Sequence, residues 1–327
     1  MNYLITGGAG FIGSHLADAL LARDDRVALV DNLSTGRLEN VRHLVDAGTA
    51  ELVEVSILDE SLMRKYVADA DVVVHLAASV GVQLIVDRPL ESLLNNIRGT
   101  EVILEACAES RTKVLVASTS EIYGKSAGGP LHEDSDRILG SPFVARWSYS
   151  TAKAVDEILA HAYWRERDTP SIVVRLFNTV GPRQTGAYGM VVPRFVGQAL
   201  RGEPLTVYGT GTQRRCFCHV HDTVAALIAL LDHPDAVGSV FNIGAPNETT
   251  MEDLARSVIE MTGSVSEIVH VPYDVAYEEG FEDMERRVPD ISRIGNLTGW
   301  QPTRSLEDIL GDVIGYERSE ALGATSA

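Results

Sequence analysis

Up to Phe177 the chain alternates short apolar runs with longer amphipathic stretches, the pattern of a parallel sheet whose strands are joined by crossover helices. The runs predict strands at Asn2–Thr6, Arg26–Asp31, Glu51–Glu54, Val72–His75, Lys113–Ser118 and Ser171–Leu176. Apolar residues at helical spacing predict helices over Gly13–Ala22, Leu62–Val67, Leu90–Glu109 and Ser148–Arg167. In order these give β-α-β-β-α-β-α-β-α-β, a doubly wound α/β sheet of the Rossmann type.

After Phe177 the pattern changes. Gly and Pro punctuation at Gly181-Pro182, Gly202-Glu203-Pro204 and Tyr208-Gly209-Thr210-Gly211 cuts the chain into short pieces, which predicts a smaller α+β region. A helical stretch at Asp222–Leu231 and an apolar strand at Val240–Ile243 are expected to return to the large sheet. The expected division is therefore not linear. Residues 1–176 with about 216–243 form a dinucleotide-binding domain, and residues 177–215 with 244–327 form a substrate-binding domain.

Composition narrows the partners more than the fold. The 327 residues suit one large or two joined domains, and 28 Lys and Arg against 46 Asp and Glu leave a formal charge of −18. That field repels nucleic acid and anionic membrane surfaces, so a phosphorylated ligand must be held locally by backbone amides or individual arginines. Cys107, Cys216 and Cys218 are too few for a disulfide framework, and no basic leader or membrane-length apolar run is present. The cytoplasm is the expected compartment. On a strand, Cys216-Phe217-Cys218-His219-Val220-His221 divides its side chains between two faces, so no metal site is expected, and His15 is expected to face solvent or the phosphate loop.

Chemistry begins at Thr6-Gly7-Gly8-Ala9-Gly10-Phe11-Ile12-Gly13-Ser14-His15-Leu16, between the first strand and the first helix. In this G-x-x-G-x-x-G run Gly7 permits the tight turn, Gly10 lets backbone approach a pyrophosphate, and Gly13 lets helix pack on strand. The helix N-terminus then supplies amides and a positive dipole. Asp31 ends the second strand 18 residues after Gly13, where an acid binds the adenosine ribose hydroxyls. Its charge would repel a 2′-phosphate, which favours NAD over NADP. Tyr149 and Lys153, four apart, share one helix face. A phenol is a poor base at neutral pH, but an adjacent ammonium and a cationic nicotinamide would stabilise its phenolate, as hydride chemistry at a hydroxyl requires.

To these motifs the chain adds, in order, Asp31-Asn32-Leu33-Ser34, His75-Leu76-Ala77-Ala78, Asn95-Asn96-Ile97-Arg98-Gly99-Thr100 and Ser118-Thr119-Ser120-Glu121-Ile122-Tyr123-Gly124. With them it resembles the extended short-chain dehydrogenase/reductase family over essentially its whole length. The resemblance implies a catalytic trio of Thr119, Tyr149 and Lys153, with Thr119 donating to the substrate oxygen and Lys153 also holding the nicotinamide ribose. It places Gly7, Gly10, Phe11, Ile12, Gly13, Asp31, Asn32, Ser34, Ile57, Leu76, Ala77, Ala78 and Asn96 against NAD. Ser56 departs from the acid that many relatives carry toward adenine, and leaves that contact without its charge.

In the second half, Arg175-Leu176-Phe177-Asn178-Thr179-Val180-Gly181-Pro182-Arg183 looks like the R-x-F-N-x-x-G-P-R segment of nucleotide-sugar epimerases, dehydratases and decarboxylases. That likeness implies a UDP-sugar. Asn178 would contact its phosphate, Val192 the base, Leu205, Val207 and Tyr208 the uracil, and Arg215 and Arg287 the diphosphate. Arg214 and Arg286 are expected in surface ion pairs. Ser120, Thr179 and Arg183 are a candidate set for a C6 carboxylate.

The three reactions open alike, by oxidation at sugar C4 with Tyr149 taking the hydroxyl proton. The run from Gly186 to Arg194 looks like that of the 4-epimerases, so the first expectation is a UDP-glucuronate or UDP-glucose 4-epimerase. Thr119-Ser120-Glu121 looks like the decarboxylase segment and keeps UDP-glucuronate decarboxylation as the alternative. A 4,6-dehydratase ranks third, because Ser120 stands where its acidic proton donor would be. The competing class is a non-catalytic dinucleotide sensor, which typically lacks the Tyr or Lys that this chain retains. The resemblance also implies a homodimer through Leu90–Glu109 and Ser148–Arg167, whose Val102, Ile103, Val155, Ile158 and Leu159 serve either that seam or the core.

Overall fold

The computed structural model describes residues 1–79, 89–125, 129–144, 146–186, 190–272 and 286–325. Strands β1 (Asn2–Thr6), β2 (Arg26–Asp31), β3 (Ala50–Glu54), β4 (Val72–His75), β5 (Lys113–Thr119), β6 (Ser171–Leu176) and β7 (Val240–Ile243) form one parallel sheet. Their order is β7-β6-β5-β4-β1-β2-β3, the doubly wound arrangement in which ligands bind beyond the carboxyl ends of the strands. The central strands are apolar on both faces because helices cover both. Ile5, Leu29, Val74 and Leu115 pack with Leu16, Leu20, Val224 and Leu227 on one side. On the other, their neighbours Leu4, Val30, Val73 and Val116 pack with Met63, Val67, Ile103 and Leu104. The alternation follows from the two-residue period of a strand.

The helices of this domain are α1 (Phe11–Leu21), α2 (Arg42–Asp46), α3 (Glu60–Ala68), α4 (Pro89–Ser110) and α5 (Arg146–Arg167). The expected direct step from β2 to β3 is corrected. Parallel neighbours require a crossover, supplied by the 3-10 turn Leu38–Asn40 and the five-residue α2, which is too short to show a helical period. The Asp59 carboxylate accepts from Leu62 N at 3.0 Å and starts α3 two residues before its first apolar position.

A second core joins helices Val191–Leu200, Met251–Thr262 and Leu306–Thr325 with the strand Leu205–Tyr208, through Val196, Leu205, Val207, Leu254, Ile309 and Leu310. Ile294 and Trp300, expected with this region, pack instead in the first core. Trp300 Nε1 donates to Asp222 O at 3.0 Å, and the Asp222 carboxylate accepts from Thr303 N and Arg304 N, so the chain is pinned back to helix Val220–Asp232.

Cys216 and Cys218 do not share one strand. Cys216 ends Arg214–Cys216 and Cys218 begins Cys218–His219, in different small sheets, and all three cysteines are buried. His219 accepts from His221 N and caps the following helix. His15 is not in solvent: its ring packs edge-on against His221 at 5.4 Å, its Nδ1 lies 2.9 Å from Phe11 O, and burial pushes its pKa down to about 4. Of the apolar positions named for a dimer seam, Ile103 is fully buried, Val102 and Leu159 pack against the same core, and Ile158 is exposed, as are Leu90 and Leu94. Among the described residues no helix is long and apolar enough to cross a membrane.

Candidate active site

A cleft of about 540 Å³ runs along the carboxyl edge of the sheet and into the second core. Its floor is the turn after β1. Gly7 has a φ of +71°, and a Cβ at Gly13 would run into the Gly7 carbonyl oxygen, so only glycines let these segments touch. Helix α1 starts with Gly10 at its N-cap, no side-chain cap and no acid in its first turn, which leaves its positive end uncompensated. Asp31 at the end of β2 is buried; its Oδ2 accepts from Ala9 N at 3.0 Å and its Oδ1 from Leu33 N at 2.8 Å. Burial raises its pKa, and the two backbone donors oppose that rise. Phe11, Ile12, Asn32, Ser34, Ile57, Leu76, Ala77 and Ala78 line the same cleft.

Ser56 and the expected cofactor contact Asn96 are both engaged by local backbone. The Ser56 hydroxyl accepts from Leu58 N and closes a local turn. Asn96 is buried, with its Oδ1 accepting from Ser79 N at 2.7 Å and its Nδ2 donating to Ser79 O at 3.3 Å, so it clamps the chain after β4 while Asn95 lines the cleft. The side-chain-free turn, the uncapped helix start and the acid ending β2 fit a dinucleotide with a free 2′-hydroxyl. Asp31→Ala is expected to lower the affinity for NAD relative to NADP by about tenfold, the scale of one charge-assisted hydrogen bond. Dissociation constants for both cofactors measure this; an unchanged ratio removes Asp31 from the ribose site.

The reactive groups meet where β5 ends. Thr119 is its last residue, and Tyr149, one turn before Lys153 on α5, is hydrogen-bonded to the Thr119 side chain. Lys153 is buried, donates to Ala117 O at 3.0 Å and lies 3.0 Å from Asp156 Oδ2. Burial holds Tyr149 well above the usual phenol range; the Glu121 and Asp156 carboxylates add to this, and the Thr119 hydrogen bond opposes it. The phenol stays protonated until positive charge is brought to it.

Opposite lies a charged pair that sequence separation conceals. Arg287 Nη1 donates to Glu121 Oε1 at 2.6 Å and to Ser120 Oγ at 3.3 Å, and Nη2 donates to Asn178 Oδ1 at 3.3 Å. Its buried Nε has no partner among the described residues. Arg287 is paired in register with Arg215, and both line the cleft, whereas Arg286 turns outward to Glu248 at 2.8 Å. Ser120, Thr179 and Arg183, the expected carboxylate set, all line the cleft, each with protein partners. Thr179 Oγ1 donates to Phe177 O, and Arg183, at a φ of +66°, pairs with Asp18 on α1 at 2.8 Å, which leaves Ser120 with Arg287.

Leu205 and Val207 are buried in the second core and do not reach the cleft, while Val192 and Tyr208 do. The Tyr208 ring is covered by the Arg194 guanidinium at 4.2 Å, and Arg194, Gln213, Phe217 and Met251 are lining residues that the sequence did not single out. Arg194, in Val191-Val192-Pro193-Arg194, and Gln213 and Phe217, in Gln213-Arg214-Arg215-Cys216-Phe217, lie in runs that resemble the family's, whereas Met251 carried no such signal. Of the run Gly186–Arg194, residues 187–189 lie outside the described residues.

Residues 3–244 match the NAD dependent epimerase/dehydratase family. The chain belongs to that family. NAD is accordingly its cofactor, in agreement with the glycine turn and Asp31. Within the family, the chain is 41% identical over 316 residues to UDP-N-acetyl-alpha-D-glucosaminuronate decarboxylase of Bacillus cytotoxicus, across 96% of this chain and 97% of that protein. It is 37% identical to UDP-glucuronic acid decarboxylase 1 of Xenopus tropicalis, across 97% of this chain and 72% of that one. The crystal structure of UDP-glucuronic acid 4-epimerase from Bacillus cereus, in complex with UDP-glucuronic acid and NAD, is similar with a TM-score of 0.88 at 30% identity, covering 98% of this chain and all of that one.

Proposed function

We propose that the protein is an NAD-dependent decarboxylase of a UDP-linked uronic acid. The observation that carries this reading is the buried Glu121–Arg287 pair at 2.6 Å, on the same turn as Thr119 and beside Tyr149. A 4-epimerase moves one proton, from the C4 hydroxyl to Tyr149 and back, and needs no second proton-handling group. Decarboxylation needs one. The bond between C5 and the carboxylate breaks, its electrons pass to the C4 carbonyl oxygen, CO₂ leaves, and C5 takes up a proton. In this reading Glu121 carries or relays that proton, and Arg287 holds Glu121 in position.

NAD, when bound, accepts the C4 hydride at the start and returns it at the end. Tyr149 Oη takes and later restores the C4 hydroxyl proton, and the Thr119 hydroxyl steadies the C4 oxygen. Two decarboxylases at 41% and 37% identity over nearly the whole chain support this reading above the 4-epimerase expected first. The dehydratase is disfavoured by Ser120, which cannot act as the acid.

The test is direct. The protein is incubated with NAD and either UDP-glucuronic acid or its 2-acetamido counterpart, the substrates of the two decarboxylases just named. Proton NMR and mass spectrometry are expected to show a UDP-pentose lighter by CO₂ from one of them. A product of unchanged mass with inverted C4 overturns the proposal in favour of epimerisation.

A further inference from the structure

Asp156 has no place in the chemistry so far, yet it is fully buried one turn beyond Lys153, with Oδ2 3.0 Å from the ammonium. Burial raises the Asp156 pKa, and the Lys153 ammonium and the Thr100 hydroxyl on α4 oppose that rise. Behind Thr100 runs a file of buried polar groups. Thr6 Oγ1 accepts from Ala77 N at 3.4 Å, which directs its own proton to His75 Nδ1 at 2.7 Å. His75 Nε2 then carries the hydrogen and faces Thr100 Oγ1 at 3.2 Å. This tautomer is assigned from the partners, and burial and the Lys153 charge push the His75 pKa down to about 3, which keeps the ring neutral. The file crosses from β1 through β4 to α4, beside Asp156 on α5.

We propose that Asp156 is the positioning residue of the Tyr149–Lys153 pair: it anchors the Lys153 ammonium and limits how far that ammonium favours the Tyr149 phenolate. A cation 3.0 Å from a buried carboxylate acts on its surroundings as a dipole rather than as a full charge. Tyr149 is faced by Thr119 on β5, by Glu121 with its partner Arg287, and by Asp156 on its own helix, with Lys153 one turn further along that helix. Asp156 is faced by Lys153 and Glu157 on α5 and by Thr100, with His75 behind. Glu157 is held by Arg175 at 2.7 Å and by Ser118 at 2.5 Å, which leaves Asp156 as the carboxylate paired with the ammonium.

The inference rests on Tyr149 being the base, but not on which sugar is turned over, and its test needs no sugar. In the NAD-bound protein, Tyr149 is titrated by tyrosinate absorbance, taken as the difference from the same protein carrying Tyr149→Phe so that the other tyrosines cancel. Asp156→Asn is expected to lower the midpoint by about one pH unit, a roughly tenfold gain in phenolate at a given pH below it. Asp156→Glu, which restores the charge, is expected to bring the midpoint back toward the original. If Asp156→Asn does not fold, as judged by NAD binding and melting, Asp156→Ser carries the same expectation, because it removes the charge and admits water beside the ammonium. An unchanged or raised midpoint in a folded Asn or Ser variant overturns the proposal. A Tyr149 that shows no titration in the unsubstituted protein instead overturns its assignment as the base.

Discussion

Tyr149→Phe is expected to lower turnover by about 10³-fold, within the range for losing one positioned acid/base group, while NAD remains bound. The phenol is the polar group that meets the Thr119 side chain at the end of β5, and Phe keeps the ring that fills the wall while deleting the one atom able to take the C4 proton. Product formation and a separate NAD titration measure the two effects. Turnover that survives the change puts the base elsewhere. Loss of NAD binding would show that the phenol supports the cofactor as much as the reaction.

Glu121→Gln is expected to reduce formation of the UDP-pentose by about 10²-fold or more and to leave oxidation at C4 in place, so that reduced cofactor accumulates. Glutamine keeps the length and still offers Arg287 an oxygen at the position where Glu121 now accepts at 2.6 Å, but it cannot carry the proton that C5 requires. Rapid mixing with UDP-uronate, followed at the nicotinamide absorbance and by the UDP-pentose formed, separates the two steps. If both steps slow together, Glu121 serves substrate binding; if neither changes, the proton for C5 comes from another group.

The sheet and its two faces were legible in the sequence because each strand alternates between cores that are both apolar, and β1, β2, β4, β6 and β7 lie where the runs predict them. The glycine turn was legible because its close approaches admit no other residue type. Helical spacing could not distinguish Asn95 from Asn96, since adjacent residues differ by about 100° around a helix and either reaches the strand ends. The pairing of Arg183 with Asp18 could not be read from the sequence, because its members lie far apart in the chain. The Glu121–Arg287 pair was invisible because its members lie 166 residues apart and meet only through pairing of Arg286–Arg287 with Arg214–Arg215. The Thr6–His75–Thr100 file was hidden for the same reason, since each member looks like an ordinary strand-end or helix residue in its own segment.

The position of β7 in the chain also has a bearing on synthesis. Strand β6 ends at Leu176 and its outer neighbour begins at Val240, so a nascent chain emerges from the ribosome with the backbone of β6 unpaired on one side until the intervening segment has been made. During that interval β6 is an open template for any other extended chain, the exposure that favours aggregation over productive folding. A break in the intervening segment would free neither half as a self-sufficient unit, because the earlier half would keep a raw edge and the later half would carry off the strand that seals it.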